Sequence, residues 1–394
     1  MTQLPAGQAS TAPDARRCAR CLFDEHTPSA GFDEHGVCAY CRLYDQMDAE
    51  YPVGERGDRI LAELADTIRR DGRGKKFDVV VGVSGGCDSS YLIYRAKELG
   101  LRPLAAHFDN TWDSTVAVEN IHRVLKTLDV ELFTHVVDNE EYDDIYRSFL
   151  LAGLPDVEAP TDIGLATTLY LAARKYGIKW IFEGHSFRTE GVSPLGWLYM
   201  DARYIQSVVK AHGNYAKHRM RTFPNLWFTS FLKWMVVDGI KKVRPLYWMD
   251  YQKEATKTLL ADKFGWRWYG GHHLENRFTA FYHTYLIPRR LKIDLRVNGY
   301  AGLVRCGQMP REEGLRQLAQ PIEVDAEVLD LVKKRLRFSD AEFERVMNLP
   351  LRTYREYATY KPLFERLRPL FWLLYKLDRV PKSFYTKYTS RTGL

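Results

Sequence analysis

The chain reads as an α/β protein. A doubly wound parallel sheet is expected between an N-terminal four-cysteine zinc module and a helical C-terminal region. Three observations predict this. Short apolar runs alternate with helical patterns from about residue 77 to 185. Two Cys-x-x-Cys pairs, Cys18/Cys21 and Cys38/Cys41, stand just ahead of that region. Beyond about residue 200 the pattern turns helical and rich in aromatics.

With 394 residues the chain has length for two or three domains and a large core. Its division is read as a disordered tail (1–17), a zinc module (18–50), a nucleotide-binding domain (51–200), a substrate-binding helical region (201–320) and a basic aromatic region (321–394). Residues 1–17 are rich in Pro, Ala, Gly and Thr, a composition that cannot bury enough apolar surface to fold. In the module, each Cys-x-x-Cys knuckle lets two thiolates reach one ion. Four thiolates leave zinc no open position, so its role is expected to be structural. No apolar run is long enough to span a bilayer and the start lacks a signal-peptide core, so a cytoplasmic protein is expected.

A helix is expected from about 57 to 70, then the linker "DGRGKK". The continuous apolar run "FDVVVGV" (77–83) is of the buried parallel type, and "SSYLIYRAKEL" is helical. Strands follow at 102–109, 131–137 and 179–185, with helices at "STVAVENIHRVLKTLD" and "IGLATTLYLAARKYG".

Between the first strand and its helix lies "SGGCDSS", Ser84 to Ser90. A loop of small residues at a helix N-terminus suits phosphate: glycines let backbone N–H groups approach, and the helix dipole favours negative charge. It is not a Walker loop, since no Gly-Lys-Ser/Thr follows, and Gly82, Gly85 and Gly86 do not make the dinucleotide fingerprint. Gly82-Val83-Ser84-Gly85-Gly86 does fit a nucleophile elbow, which would make Ser84 a hydrolase nucleophile. The full stretch resembles the SGGxDS loop of the PP-loop ATP pyrophosphatases, which fits an adenine nucleotide alpha hydrolase-like sheet. That resemblance implies that Ser84, Gly85, Gly86, Ser89 and Ser90 hold the pyrophosphate of ATP and that Asp88 serves its Mg2+.

At the next strand end, Asp109 and Asn110 are candidates for adenine or ribose, with a helix cap at Asp113 or Ser114 as the plain alternative. At the fourth, "FEGHSFRTEG", Gly184 and His185 are assigned to the nucleotide, and Glu183 and Glu190 to substrate or metal.

The distal stretch from Phe264 to Arg296, with "CGQMPREEGL" after it, resembles the C-terminal signature of bacterial N-acetyl sugar amidotransferases. Those enzymes turn the acetamido group of a nucleotide sugar into an acetamidino group in surface-polysaccharide biosynthesis. The resemblance implies an acceptor that is a nucleotide-activated N-acetyl sugar, an O-adenylyl imidate intermediate, and a separate glutaminase supplying ammonia. Asp88, Glu190 and His273 are the catalytic candidates. Glu275 is assigned to the substrate, as are Arg277, Arg289 and Arg290, which suit anionic phosphates unless they form a solvated basic face. Of the adjacent His272 and His273, at most one can face a pocket.

Neither Cys87 nor Cys306 sits in a glutaminase context, which agrees with ammonia arriving from a partner. From Leu351 onward, ten Lys/Arg against three Asp/Glu account for the whole formal net charge of +7. The balanced body disfavours nucleic acid, and with it a tRNA-modifying alternative; the retained polar residues of the loop disfavour a non-catalytic scaffold. The basic, aromatic tail is expected either to pack on its own domain or to contact an anionic membrane surface or a partner.

Overall fold

A computed structural model of the chain describes residues 2–3, 15–192, 194, 198–214, 220–271, 273–377, 379–380 and 382–390. The stretch expected to lack order lies almost wholly outside them, and so does His272.

Five parallel strands form one sheet: β1 (Val79–Gly82), β2 (Pro103–Asp109), β3 (Leu132–Val136), β4 (Trp180–Phe182) and β5 (Lys241–Val243). Their order is β3-β2-β1-β4-β5, with Val80 opposite both Leu104 and Ile181. The chain therefore winds outward from β1 to β3, then returns to build on the other side. That reversal splays the connections above β1 and β4 and leaves a crevice at their carboxyl ends. The central strands are mostly apolar and almost wholly buried because helices cover both faces. Helices α1 (Cys87–Glu98) and α2 (Thr115–Leu128) pack on one face with Leu260 and Trp266. Helix α3 (Asn139–Leu151) joins a separate core, and α4 (Ala159–Lys175) covers the second face through Leu169, Tyr170 and Ala173.

The expected strands and helices are present with slightly shorter strands, and further elements join them, two of which bear on the sheet. Helix α3, capped by Asp138, lies where no element was expected. Strand β5 comes from within the 201–320 region, so the sheet does not end near residue 200. Only three residues long and carrying two lysines, it has no apolar run to announce it.

The C-terminal helices do not form a body apart. Phe278, Phe281, Tyr285 and Phe343 share one core with Phe108, Trp112 and Tyr146 of the α/β region. The zinc module packs through Leu22 and Phe23 on Val297, Ala301 and Leu318. The tail buries Phe364, Phe371 and Leu374 with Met235, as self-packing requires, while Trp372, Leu373 and Leu377 stay exposed. No described helix is long and apolar enough to cross a membrane.

Candidate active site

The loop after β1 is built to keep its backbone available. Gly85 has φ +78°, a left-handed conformation, and a Cβ there would lie 2.3 Å from the Ala117 carbonyl oxygen. Its own carbonyl accepts hydrogen bonds from Trp266 Nε1 (2.9 Å) and Asn120 Nδ2 (3.3 Å). Gly86 then caps α1. The Ser84 N–H donates to Ser89 Oγ (3.2 Å), and the Gly86 N–H to Ser84 Oγ (3.3 Å). Ser84 is not among the positive-φ residues, so the strain that a nucleophile elbow places on its serine falls here on Gly85.

A segment almost two hundred residues downstream roofs this loop. Asn276 caps the helix Arg277–Phe281 and donates to Asn110 Oδ1 (3.0 Å) and Asp113 Oδ1 (3.1 Å). The N–H of Ser114 donates to the Glu275 carbonyl, and that of Arg277 to the Trp112 carbonyl (both 2.8 Å). These stitches hold Glu275 over the phosphate loop, where its Oε1 accepts from Ser84 Oγ (3.4 Å) and its Oε2 is buried with no hydrogen-bond partner among the described residues.

Charge is concentrated around this point. Burial works to lower His273, but Glu275, Glu190 and Asp88 around it push it up to about 9. Burial would raise Glu275, and the His273 imidazolium overrides it and holds the carboxyl below its usual range. Glu190, hydrogen-bonded to His185 Nδ1 at 2.6 Å, is likewise held down to about 2 against the effect of burial. His273 adopts φ +61°, in the left-handed region that histidine enters more readily than most side-chain-bearing residues.

Ser84, Asn110, His185, Glu190, His273 and Glu275 all line one cavity of about 450 Å3 at the crevice above β1 and β4. Gly184 lies against the start of α1, its Cβ position 3.4 Å from Ser89 N. Ser90 is buried beneath the loop, and Asp109 turns back to accept from Thr111 N–H (2.8 Å), so neither faces the cavity. Ser114, one of the two alternatives, does cap α2.

Five of the assigned side chains are engaged elsewhere or lie outside the cavity. Asp88 is engaged by Lys253 Nζ (2.6 and 2.8 Å) and by the Tyr251 hydroxyl, so its charge is already met within the protein. Arg289 is paired with Glu344 (2.6 Å) and Tyr285, Arg290 donates to the carbonyls of Leu349 (2.9 Å) and Gly153 (3.3 Å), and Arg277 is exposed. None of the three arginines lines the cavity. Glu183 too is taken up, by Lys242 and by Arg244 at 3.2 Å, in an ion-paired link between β4 and β5.

Sequence reasoning missed Lys253, Tyr251, Asn276, Glu158 and Lys387. Lys253 opens an ordinary helix with no pattern to mark it, and only its place opposite Asp88 gives it meaning.

His107, Asp109 and Asp113 also cluster. His107 Nδ1 lies 2.9 Å from the Val83 carbonyl oxygen and Nε2 lies 3.1 Å from Asp113. Burial works to lower the ring, and Asp113 beside it overrides that and raises it above the usual histidine range.

The four cysteines of the N-terminal module fit a metal ion. Their sulfurs lie within 4.8 Å of one another, and backbone N–H groups of Arg20, Cys21 and Cys38 point at Cys18 Sγ from 3.3–3.4 Å. Arg305 donates to Cys21 Sγ (3.2 Å) and Cys41 Sγ (3.4 Å), offsetting the negative charge of a tetrathiolate centre.

Residues 275–370 match the family model described as "LPS biosynthesis protein WbpG-like, C-terminal domain". No curated protein matches the chain. Among solved structures it is similar to an NMN synthetase from Francisella tularensis, at 12% identity over 76% of this chain and 97% of that one, TM-score 0.32. An NH3-dependent NAD synthetase from Campylobacter jejuni shows 13% identity over 75% and 97%, TM-score 0.31. A predicted subunit of tRNA methyltransferase from Methanocaldococcus jannaschii shows 15% over 46% and 73%, TM-score 0.27.

Proposed function

We propose that this chain is an ATP-dependent, AMP-forming amidotransferase that converts the acetamido group of a nucleotide-activated N-acetyl sugar into an acetamidino group. One observation carries the reading: a small-residue loop at the switch point of a parallel sheet places Ser84 on a cavity that also holds His273, Glu275 and Glu190, an arrangement suited to an anion. The match of residues 275–370 to a model described by lipopolysaccharide biosynthesis supports the sugar half of it.

An amide is a poor electrophile because resonance feeds its carbonyl. In the proposed reaction its oxygen attacks the α-phosphorus of ATP, the bond to the β-phosphate bridging oxygen breaks, and pyrophosphate leaves into the Ser84–Ser90 loop. Ammonia then adds to the imidate carbon, loses a proton to a basic group, and AMP departs with the former amide oxygen. The chain's work is to bind, orient and offset charge. His273 stays cationic near neutral pH, and Lys253 adds a second buried positive group beside the loop. Mg2+ bound with ATP would neutralise the departing pyrophosphate. Glu275, whose Oε2 has no partner, and Glu190 are the cavity-facing carboxylates suited to hold it.

No thiol of the chain is suited to release ammonia from glutamine. Burial pushes Cys87 up to about 11 and raises Cys306, and the other four cysteines form the metal-binding cluster. A separate glutaminase is therefore the proposed source. The test is incubation with ATP, Mg2+, ammonium and a panel of acetamido sugar nucleotides, read by mass spectrometry. AMP formed together with a product that has exchanged O for NH is expected. Full activity with glutamine and the purified chain alone would refute the partner, and a sugar unchanged across the panel would refute the reaction.

A further inference from the structure

The reaction above uses the loop side of the cavity, yet a second group of polar side chains lines the same cavity. From Ser84, interacting side chains run through Glu275 and His273 to Glu158, Asp162 and Lys387. Glu158 is 8% exposed, lines the cavity, and its Oε1 has no hydrogen-bond partner among the described residues. Lys387, from the helix Lys382–Thr389 at the end of the described chain, reaches the same cavity with no described carboxylate within ion-pairing distance. Opposite these groups the wall is aliphatic: Ile287, Leu291, Ile293 and Leu295.

A buried carboxyl oxygen and a largely buried ammonium without partners are costly unless a ligand meets them. Burial pushes Glu158 up to about 8, with Asp162 adding to it, so its carboxyl is mostly protonated at neutral pH and both donates and accepts. Burial likewise lowers Lys387, with Asp162 and Asp156 opposing. Asp162 and Lys387 balance in charge. A diphosphate here would face Asp162, and an acyl chain would strand Glu158 and Lys387 unpaired. Mixed donors and acceptors of near-zero net charge beside an aliphatic wall suit a ring with hydroxyls at its rim and C–H groups on its face.

We propose that this part of the cavity is a subsite for the hydroxylated pyranose ring of the acceptor, with Glu158, Asp162 and Lys387 as its polar contacts. The C-terminal tail thereby becomes part of the acceptor site. The assignment rests on the sugar-acceptor reading above.

Saturation-transfer NMR on the full chain with N-acetylglucosamine, N-acetylgalactosamine and N-acetylmannosamine tests it, using wild type, Glu158→Leu and Lys387→Met. Melting temperature checks the fold of each variant, and calorimetry with a non-cleavable ATP analogue is the control. The wild type is expected to bind at least one sugar saturably. Each variant should weaken that sugar roughly tenfold or more, as loss of a buried polar contact does, and leave the analogue unchanged. Absence of saturable sugar binding by wild type, equal binding by the variants, or parallel weakening of both ligands would overturn the subsite. Failure of the ATP reading looks different: the sugar binds and the analogue does not.

Discussion

Gly85→Ala asks most directly whether the loop is a phosphate cradle. The backbone there has φ +78°, which costs a residue with a Cβ roughly 1–2 kcal/mol. The new methyl would lie 2.3 Å from the Ala117 carbonyl oxygen, against an ordinary contact of 3.4–4 Å. Ala117 sits in the first turn of α2, whose cap is tied through Ser114 to Glu275, so the carbonyl has little room to yield. The loop must therefore move by about 1 Å, enough in an organised site to cost on the order of 100-fold. Gly239→Ala is the control: φ is +66°, but nothing lies within 4 Å of the added methyl, so it carries strain without displacement. Calorimetry with the non-cleavable ATP analogue should show about 100-fold weaker binding for Gly85→Ala and unchanged binding for Gly239→Ala, with comparable losses of stability in denaturant. Wild-type affinity in Gly85→Ala would refute the assignment of the loop.

Lys253→Met leaves Asp88 three-quarters or more buried with only the Tyr251 hydroxyl; breaking such a pair should lower unfolding free energy by about 3 kcal/mol in urea titration, with Asp88→Asn/Lys253→Met recovering part of it. His273 should make analogue binding pH-dependent. Its folded value is raised above the unfolded one, so the stabilising pairing with Glu275 is fully present below about pH 6.5 and lost as pH rises through about 9. His273→Gln should flatten that profile; an unchanged profile would remove His273 from the site. Arg289→Met should leave analogue binding untouched and cost less than about 1 kcal/mol, since its partner Glu344 is half exposed. Cys38→Ser should lower bound zinc, measured by plasma emission. It should also expose the helix Arg296–Arg305 to hydrogen exchange, because Arg305 then loses the charge it faces.

Local chemistry determined a good deal of this protein. The unbroken apolar run at Val79–Gly82 and the largely apolar run at Pro103–Asp109 mark buried parallel strands, because a sheet covered on both faces hides side chains on both. The Cys-x-x-Cys spacing and the Ser84–Ser90 loop are legible for the same reason: their function resides in backbone and side chains a few residues apart. Helix α3, strand β5 and the placement of the three arginines were not, since periodicity alone does not report what a side chain meets once the chain folds. Asp88 shows the limit most plainly. Its position in the loop suits a metal, yet Lys253, 165 residues away, supplies its counter-charge. Short-range patterns thus determined the strands, the loop and the thiolate cluster. Which acids are free, which are paired, and which distant lysine enters the cavity were decided only by folding, because electrostatic interactions depend on distance in space and on burial, neither of which is encoded by spacing along the chain.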